Sequence, residues 1–487
     1  MFRSIQPSSI LAVLACLATL AVAQDRPSIF DKGADTYPLG GIEALVLPNA
    51  NGQFVVHKVF EKGLAEIGEL AVGDVIVRVG KKKIEGKPDD MWFAIEEEIE
   101  EAEAKPMRGD KPNQVRFDVI DRAGEKAVRN VPVRALGKHS KSCPEKCKKC
   151  SEILLDALKY LEKEQSGEGH FAGQVANENH SVATVSLAAL AWLGHEKARQ
   201  AYAKNIENAA RYVIRNCTEP SHRGLRPAST PGGTAANWDQ SNWSLSYGGI
   251  FLGELLQHKK KREWLEGLNQ MMDSLANNQE QSGGWAHGPG GPNALGYLEL
   301  EIMSNLALGA LGLAERCGVQ IAEAKKIKGI EWVKSCTTNG GVAYSPKPGQ
   351  MGHGDPGRTA GAVWAFSQCG RLGGITDEMA DYYRKGLSEL YEGHACATMH
   401  VLNGALAAST LGSRDWKAFW KVWRPFFMAS RAFGGAFDYR PNEESRDAKR
   451  NSDRGWGPAF VTAHYAIAMQ CGQGRYEALD AVDTKKR

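Results

Sequence analysis

From residue 150 onward the chain alternates between two hydrophobic patterns. In the first, apolar residues recur three and four apart among charged ones, as with Leu154, Leu155, Leu158 and Leu161. That pattern covers residues 152–164, 196–216, 261–278, 322–335, 377–392 and 414–430, and predicts helices with one buried face. The second pattern is small and apolar nearly all round, over residues 181–193, 242–256, 295–316, 358–368, 395–411 and 457–470. A helix apolar on every side is buried. Six of each kind in strict alternation predict six inner helices within six outer ones, an all-α (α/α)6 toroid over residues 151–474.

The ends of these stretches repeat as well. Gly194, Gly318, Gly370, Gly412 and Gly472 follow inner helices, where glycine stops a helix by turning left-handed. Glycine-aromatic turns recur at Gln165–Phe171, Gln281–His287, Asn339–Tyr344 and Phe433–Tyr439. They resemble the Gln-x-x-x-Gly-aromatic turns of the terpenoid cyclase and protein prenyltransferase toroids. The resemblance implies a fold and leaves activity open, because that fold hosts several functions. The Asp-x-Asp-Asp acid cluster of a squalene-type cyclase is absent, and Asn237-Trp238-Asp239-Gln240 is the nearest string. A prenyltransferase holds zinc with an Asp-x-Cys pair and a distant His. Here Cys396 and His400 lie four apart, with His394 or His353 as further ligands, but that pattern is not reproduced.

Residues 37–136 carry the period of strands instead. Residues 42–47 and 54–59 are short apolar runs bounded by Gly, Pro and Asn, and 115–120 with 127–133 flank a turn as a hairpin. Pro88-Asp89-Asp90 predicts a capped start for a helix from about Met91 to Glu103. The loop Pro38–Ile42, the run Glu69–Ile76 and the last hairpin resemble a PDZ domain. The whole chain is then multidomain: a small β-rich α+β PDZ-like domain, then the toroid, an order that resembles a group of bacterial secreted proteins. The resemblance implies that a peptide or protein C-terminus adds as a strand, with its carboxylate at Leu39, Gly40, Gly41 and Ile42 beside the helix. Glu96, Glu97, Glu98, Glu100 and Glu101 on that helix read as a solvated face, or as a preference for basic peptides.

Arg3, the apolar run Ile10–Val22 and Ala21-Val22-Ala23 predict a signal peptide over residues 1–23, hence a secreted or periplasmic protein. Cys16 inside the run leaves a lipoprotein reading open. Residues 24–36 then form a linker, and no membrane span is expected in the mature chain. Residues 137–150 are basic, polar and aperiodic, and mark the domain boundary; residues 475–487 read as a polar tail. The boundary holds Cys143, Cys147 and Cys150 with His139 nearby. Export favours disulfides there, and zinc with His139 as fourth ligand is the alternative. The cysteines at the ends of repeat helices read as small buried hydrophobes. A net charge of +3 leaves no footprint for nucleic acid, and no cofactor follows from any motif.

A toroid presents an axial cavity whose mouth is built from loops and inner-helix N-termini. Trp238, Trp285, Tyr297, His353, Arg358 and Trp456 fall there as ligand-binding candidates, and Asp239, Glu299, Asp355 and His287 as catalytic ones. Aromatic faces stack on sugars, and paired carboxylates perform acid–base chemistry. Glu299 and Glu301 lie two apart on one helix and so point to different faces. These residues lead to an exported binder of a peptide and of a ring ligand. The alternative is an enzyme acting on a glycan or isoprenoid-like substrate in the ring.

Overall fold

The computed structural model describes residues 36–107, 109, 111–171, 178–218, 240–288, 298–346, 353–394, 396–443 and 452–480. The expected signal peptide, Trp238, Asp239 and Tyr297 lie outside these residues.

The N-terminal lobe is an antiparallel sheet of β1 (Tyr37–Pro38), β2 (Ala44–Pro48), β3 (Phe54–Val59), β4 (Val75–Val79), β5 (Lys82–Lys83), β6 (Asn113–Ile120) and β7 (Lys126–Val133). Its order is β1-β2-β3-β4-β6-β7, with β5 paired to β4. A short helix α1 (Leu64–Ile67) and the longer α2 (Pro88–Glu103) complete it. Alternation along the strands buries Val46, Phe54, Val56, Ile76, Phe117 and Val119 with Trp92 of α2. The helix α2 begins three residues earlier than expected, with Pro88 in its first turn. Asp89 and Asp90 make no side-chain cap and act on the positive end of the helix dipole instead.

Two expectations for this lobe are corrected. The edge of β2 where a peptide would add is taken by the chain's own β1, with Tyr37 opposite Val46 and Pro38 opposite Leu45. The Tyr37 ring is fully buried against Phe54 and Trp92, and Trp92 Nε1 donates to the Pro38 carbonyl at 2.5 Å. The proposed carboxylate loop is closed too: Leu39 and Ile42 are buried, and a Cβ on Gly41 would lie 2.7 Å from Glu103 and 3.1 Å from Arg431. No groove remains for a peptide at Leu39, Gly40, Gly41 and Ile42. The acid run, second, is not one solvated face. Glu97 and Glu101 are exposed, whereas Glu96 and Glu103 are buried and face the helical ring.

In the ring, the inner helices are α4 (Glu178–Leu193), α7 (Ser241–His258), α9 (Glu301–Arg316), α11 (Pro356–Gln368), α13 (Ala397–Leu411) and α16 (Pro458–Ala468). Each packs on the next, and α16 packs back on α4, so the ring closes. The outer helices are α3 (Lys148–Glu164), α6 (Ala203–Thr218), α8 (Arg262–Asn277), α10 (Glu323–Ser335), α12 (Ile375–Lys385) and α14 (Ser413–Ala429). They straddle the inner seams: α6 lies on α4 and α7, α8 on α7 and α9, α12 on α11 and α13, and α3 on α16 and α4. Two short helices, α5 (Glu196–Ala201) and α15 (Ser452–Trp456), fill connections.

The repeated turns have one physical basis. The glycines Gly169, Gly283, Gly340 and Gly435 each sit against a backbone carbonyl of a neighbouring outer helix, where a Cβ would lie 2.4–2.6 Å away. The Gln165 and Gln279 side chains clasp their turns by donating to the Gly169 and Gly283 carbonyls at 3.1 and 2.8 Å. The aromatic that follows points inward: Phe171, Trp285 and Phe437 are buried between the two layers. At the far end Gly318 ends α9 at φ +91°, as expected. Gly194 differs; it is small because the Tyr476 ring lies where its Cβ would be.

Among the described residues the axis is packed rather than hollow. Leu187, Leu190, Ile250, Leu306 and Leu406 fill it and leave a cavity of about 20 Å³, room for roughly one water. The expected ligand cavity along the axis is not found among the described residues. Residues 475–480 are not a polar tail either, because they seal this end. The buried Glu254 carboxylate accepts the N–H groups of Glu477, Ala478 and Leu479 at 2.8–2.9 Å, and Trp364 Nε1 donates to the Leu479 carbonyl. Buried polar groups demand partners, and this strand of chain supplies them. Residues 137–150 likewise do more than mark a boundary, for α3 begins at Lys148 and Cys147 and Cys150 are buried. Cys217, Cys336, Cys369 and Cys471 are buried and in no disulfide, as small hydrophobes would be.

Candidate functional site

At the opposite end, the first turns of α9, α11 and α13 bring charged groups together over the apolar axis. Asp355 caps α11, its Oδ1 accepting the Arg358 N–H at 2.8 Å, and Pro356 follows in the first turn. The same Oδ1 lies 3.0 Å from His400 Nδ1 on α13, and His400 Nε2 faces the His394 carbonyl at 3.2 Å. Burial alone would raise the Asp355 carboxyl, but His400 and Arg358 hold it well below the usual carboxylate range.

Glu301 opens α9 and is fully buried. Its Oε1 takes the Asn305 amide, while Oε2 has no hydrogen-bond partner among the described residues. Arg358 Nε stands 3.9 Å from Oε2, with its guanidinium 4.9 Å above the Tyr344 ring. Burial pushes the Glu301 carboxyl well above its usual range; Arg358 pulls against that shift and the Asp355 charge adds to it. Asp453 of α15 borders the same cluster. Its Oδ2 accepts the Thr398 N–H at 3.2 Å, its Oδ1 has no partner among the described residues, and burial raises it to about 7. One carboxyl is thus pushed up by burial beside another held low by its cations, the arrangement in which acid and base roles separate.

The sequence candidates divide across this geometry. Asp355 and Arg358 converge with Glu301. His287 belongs to the rim, its Nδ1 accepting from Trp243 Nε1 at 2.8 Å with the rings 5.9 Å apart. Trp456 stacks on Phe460 at 4.2 Å, and His353 is exposed. Two candidates are corrected. Trp285 is fully buried, its Nε1 donating to the Leu275 carbonyl at 2.8 Å, because the residue after the turn glycine points into the layer between helices. Glu299 precedes α9, which starts at Glu301 rather than residue 295, and accepts the Ser282 hydroxyl at 3.0 Å away from the axis. His394, Cys396 and His400 do not gather as ligands, since Asp355 and a carbonyl occupy His400. Among the described residues the metal-competent group is His139, Cys143, Cys147 and Cys150. Tyr344 and Asp453 of the mouth cluster were not singled out from sequence, and Glu301 was weighed there only as a poor acid–base partner for Glu299. For Glu301 the signal was a charged residue at the head of an otherwise apolar inner helix.

The family model described as "Domain of unknown function (DUF6288)" matches residues 150–470. The chain belongs to that family. No curated protein sequence matches it. Among solved structures this DUF6288 chain is similar to the GH76A alpha-1,6-mannanase from Salegentibacter sp. HEL1_6, at 11% identity and a TM-score of 0.44 over 65% of this chain and 99% of that one. A sugar epimerase from a ruminal bacterium aligns at 10% identity and a TM-score of 0.44, over 66% of this chain and 98% of its own. A family 76 glycoside hydrolase from a bovine Bacteroides thetaiotaomicron strain aligns at 11% identity and 0.44, over 90% of this chain and 98% of its own. No helix among the described residues is long and apolar enough to cross a membrane.

Proposed function

We propose that the ring mouth is an active site acting on a glycan, with Glu301 as proton donor and Asp355, oriented by His400, as the ionised partner. One observation carries this reading: the Glu301 carboxyl is buried and raised with an oxygen left without a hydrogen bond, beside an Asp355 held ionised. A protonated carboxylic acid next to a carboxylate is the equipment of glycosidic bond cleavage, in which one group protonates the leaving oxygen. Tyr344, beneath the Arg358 guanidinium, and Trp243, stacked with His287, place aromatic side chains at the same end. The substrate meets the mouth from outside, because the axis beneath has no room for it. Arg3 and the apolar run of residues 10–22 support action outside the cytoplasm. The binding-only alternative is weakened by the filled peptide edge in the N-terminal lobe.

The test is release of reducing ends from a panel of polysaccharides by the full chain. Glu301→Gln is expected to lower turnover by about 10²–10⁴-fold, the range of a lost general acid, with unchanged circular dichroism. A variant as active as the parent, or a parent inert on every polysaccharide, would overturn the reading.

A further inference from the structure

Between the lobe and the ring, four side chains point at one position. Nδ1 of His139 lies 3.5 Å from Cys143 Sγ, 3.6 Å from Cys147 Sγ and 3.4 Å from Cys150 Sγ. These four ligand atoms all fall within 4.8 Å of one another. A tetrahedral zinc with Zn–S near 2.3 Å and Zn–N near 2.05 Å has nitrogen–sulfur edges of about 3.6 Å. All three edges agree with that figure. The Cys143–Cys150 edge is 3.1 Å, against about 3.8 Å in an ideal tetrahedron, so a metal would open it by under about 1 Å.

The surroundings are those of thiolates and a ligating imidazole. Trp420 Nε1 donates to Cys143 Sγ at 3.2 Å, and the Ser140 N–H donates to Cys147 Sγ at 3.4 Å. Cys147 is the N-cap of α3 and Cys150 sits in its first turn, where the helix dipole favours negative sulfur. On the far side of the ring of His139, Nε2 lies 2.7 Å from Glu100 Oε1, the carboxylate that fixes Nδ1 as the ligand atom. Sequence favoured a disulfide here, but all three cysteines are free. A bridge would use two sulfurs and leave a third, with an imidazole, gathered for no purpose.

We propose that His139, Cys143, Cys147 and Cys150 bind one structural zinc ion that clamps the N-terminal lobe to the helical ring. Four protein ligands close the coordination sphere, so the ion has no open position for substrate. Each ligand reaches a different part of the junction: His139 leans on Glu100 of α2, Cys143 on Trp420 of α14, and Cys147 and Cys150 start α3. Zinc would fix the angle between lobe and ring and keep the three thiolates from oxidation.

The experiment is elemental analysis of the full chain purified without chelator, followed by cobalt substitution. About one zinc per chain is expected, and the cobalt form should show a thiolate charge-transfer band and the intense visible bands of a tetrahedral site. Cys147→Ser should lose the metal. Should that variant fail to fold, the parent answers alone: a mercurial should release its zinc to a chromogenic chelator as the thiols are titrated. Substoichiometric zinc, full zinc retained in Cys147→Ser, or a Cys143–Cys150 disulfide in the peptide map would each overturn the assignment.

Discussion

Two ionic clusters among the described residues, one at the junction and one at the ring mouth, differ in how closely cations meet their acids. At the junction, Arg431 reaches Glu96 at 2.9 Å and Glu103 at 2.7 Å, and the buried Lys149 reaches Glu100 at 2.9 Å and Glu103 at 2.7 Å. Burial would raise Glu103, but Arg431 and Lys149 hold it below its usual range; only Glu96 is left raised, to about 8 by burial. At the mouth, Arg358 stands off Glu301 at 3.9 Å; Glu301 and Asp453 each keep one oxygen without a hydrogen bond among the described residues, as Glu96 does at the junction. A cluster whose charges are closely paired holds two bodies in register. A cluster whose cation stands off its acids is poised to give or take protons.

The largest expected effect comes from removing the cation of the matched cluster. Arg431→Met leaves Glu96 and Glu103 buried with Lys149 as their one remaining cation, and should cost about 3–5 kcal/mol in urea unfolding. Arg358→Met, at the mouth, should cost less than half as much, since Arg358 stands 3.9 Å off Glu301 and His400 still pairs with Asp355. Equal losses would erase the distinction between the clusters.

Asp453→Asn should act in the opposite direction by about 2 kcal/mol, within the ceiling set by 1.4 kcal/mol per pKa unit. Asp453 titrates near 7 in the fold against an ordinary 3.8, so the folded state holds its proton more tightly. Its contribution is therefore full below about pH 4 and is lost as pH rises through 7. Asparagine cannot ionise and can still accept the Thr398 N–H. The variant should melt higher than the parent at pH 8 and no higher at pH 4; a gain at both would point to packing.

The ring was legible because each repeat states its rule several times. Alternating helix types, glycine stops and glycine-aromatic turns agree with one another, and the turn glycines sit under carbonyls in four equivalent places. What sequence concealed was facing. Glu96, Glu100 and Glu103 follow helical spacing, yet nothing local says whether that face meets water or a ring assembled from residues more than 300 positions away. Tyr37 offered no sign that it would fill the edge meant for a guest. At the mouth, Asp355 was found as a polar residue just ahead of an inner helix, whereas Glu301 owes its chemistry to Arg358 and Asp355 arriving from another helix. The cysteines at the junction were read through compartment, and geometry placed His139 among them.

The smallest effect is the most discriminating. Glu301→Gln replaces a carboxyl that burial pushes well above its usual range by a neutral group of the same shape, so folding stability at pH 7 should change by under about 1 kcal/mol. The Asn305 contact survives, because a glutamine oxygen accepts from that amide as the carboxyl does. Glu103→Gln makes the same substitution where the carboxylate is ionised between Arg431 and Lys149, and should cost about 2–3 kcal/mol. Chemical unfolding of both variants at pH 7 measures the pair directly. A large loss in Glu301→Gln would mean that Glu301 is ionised and bonded to Arg358 in solution, which makes it a structural ion pair and removes the proton donor from the mouth.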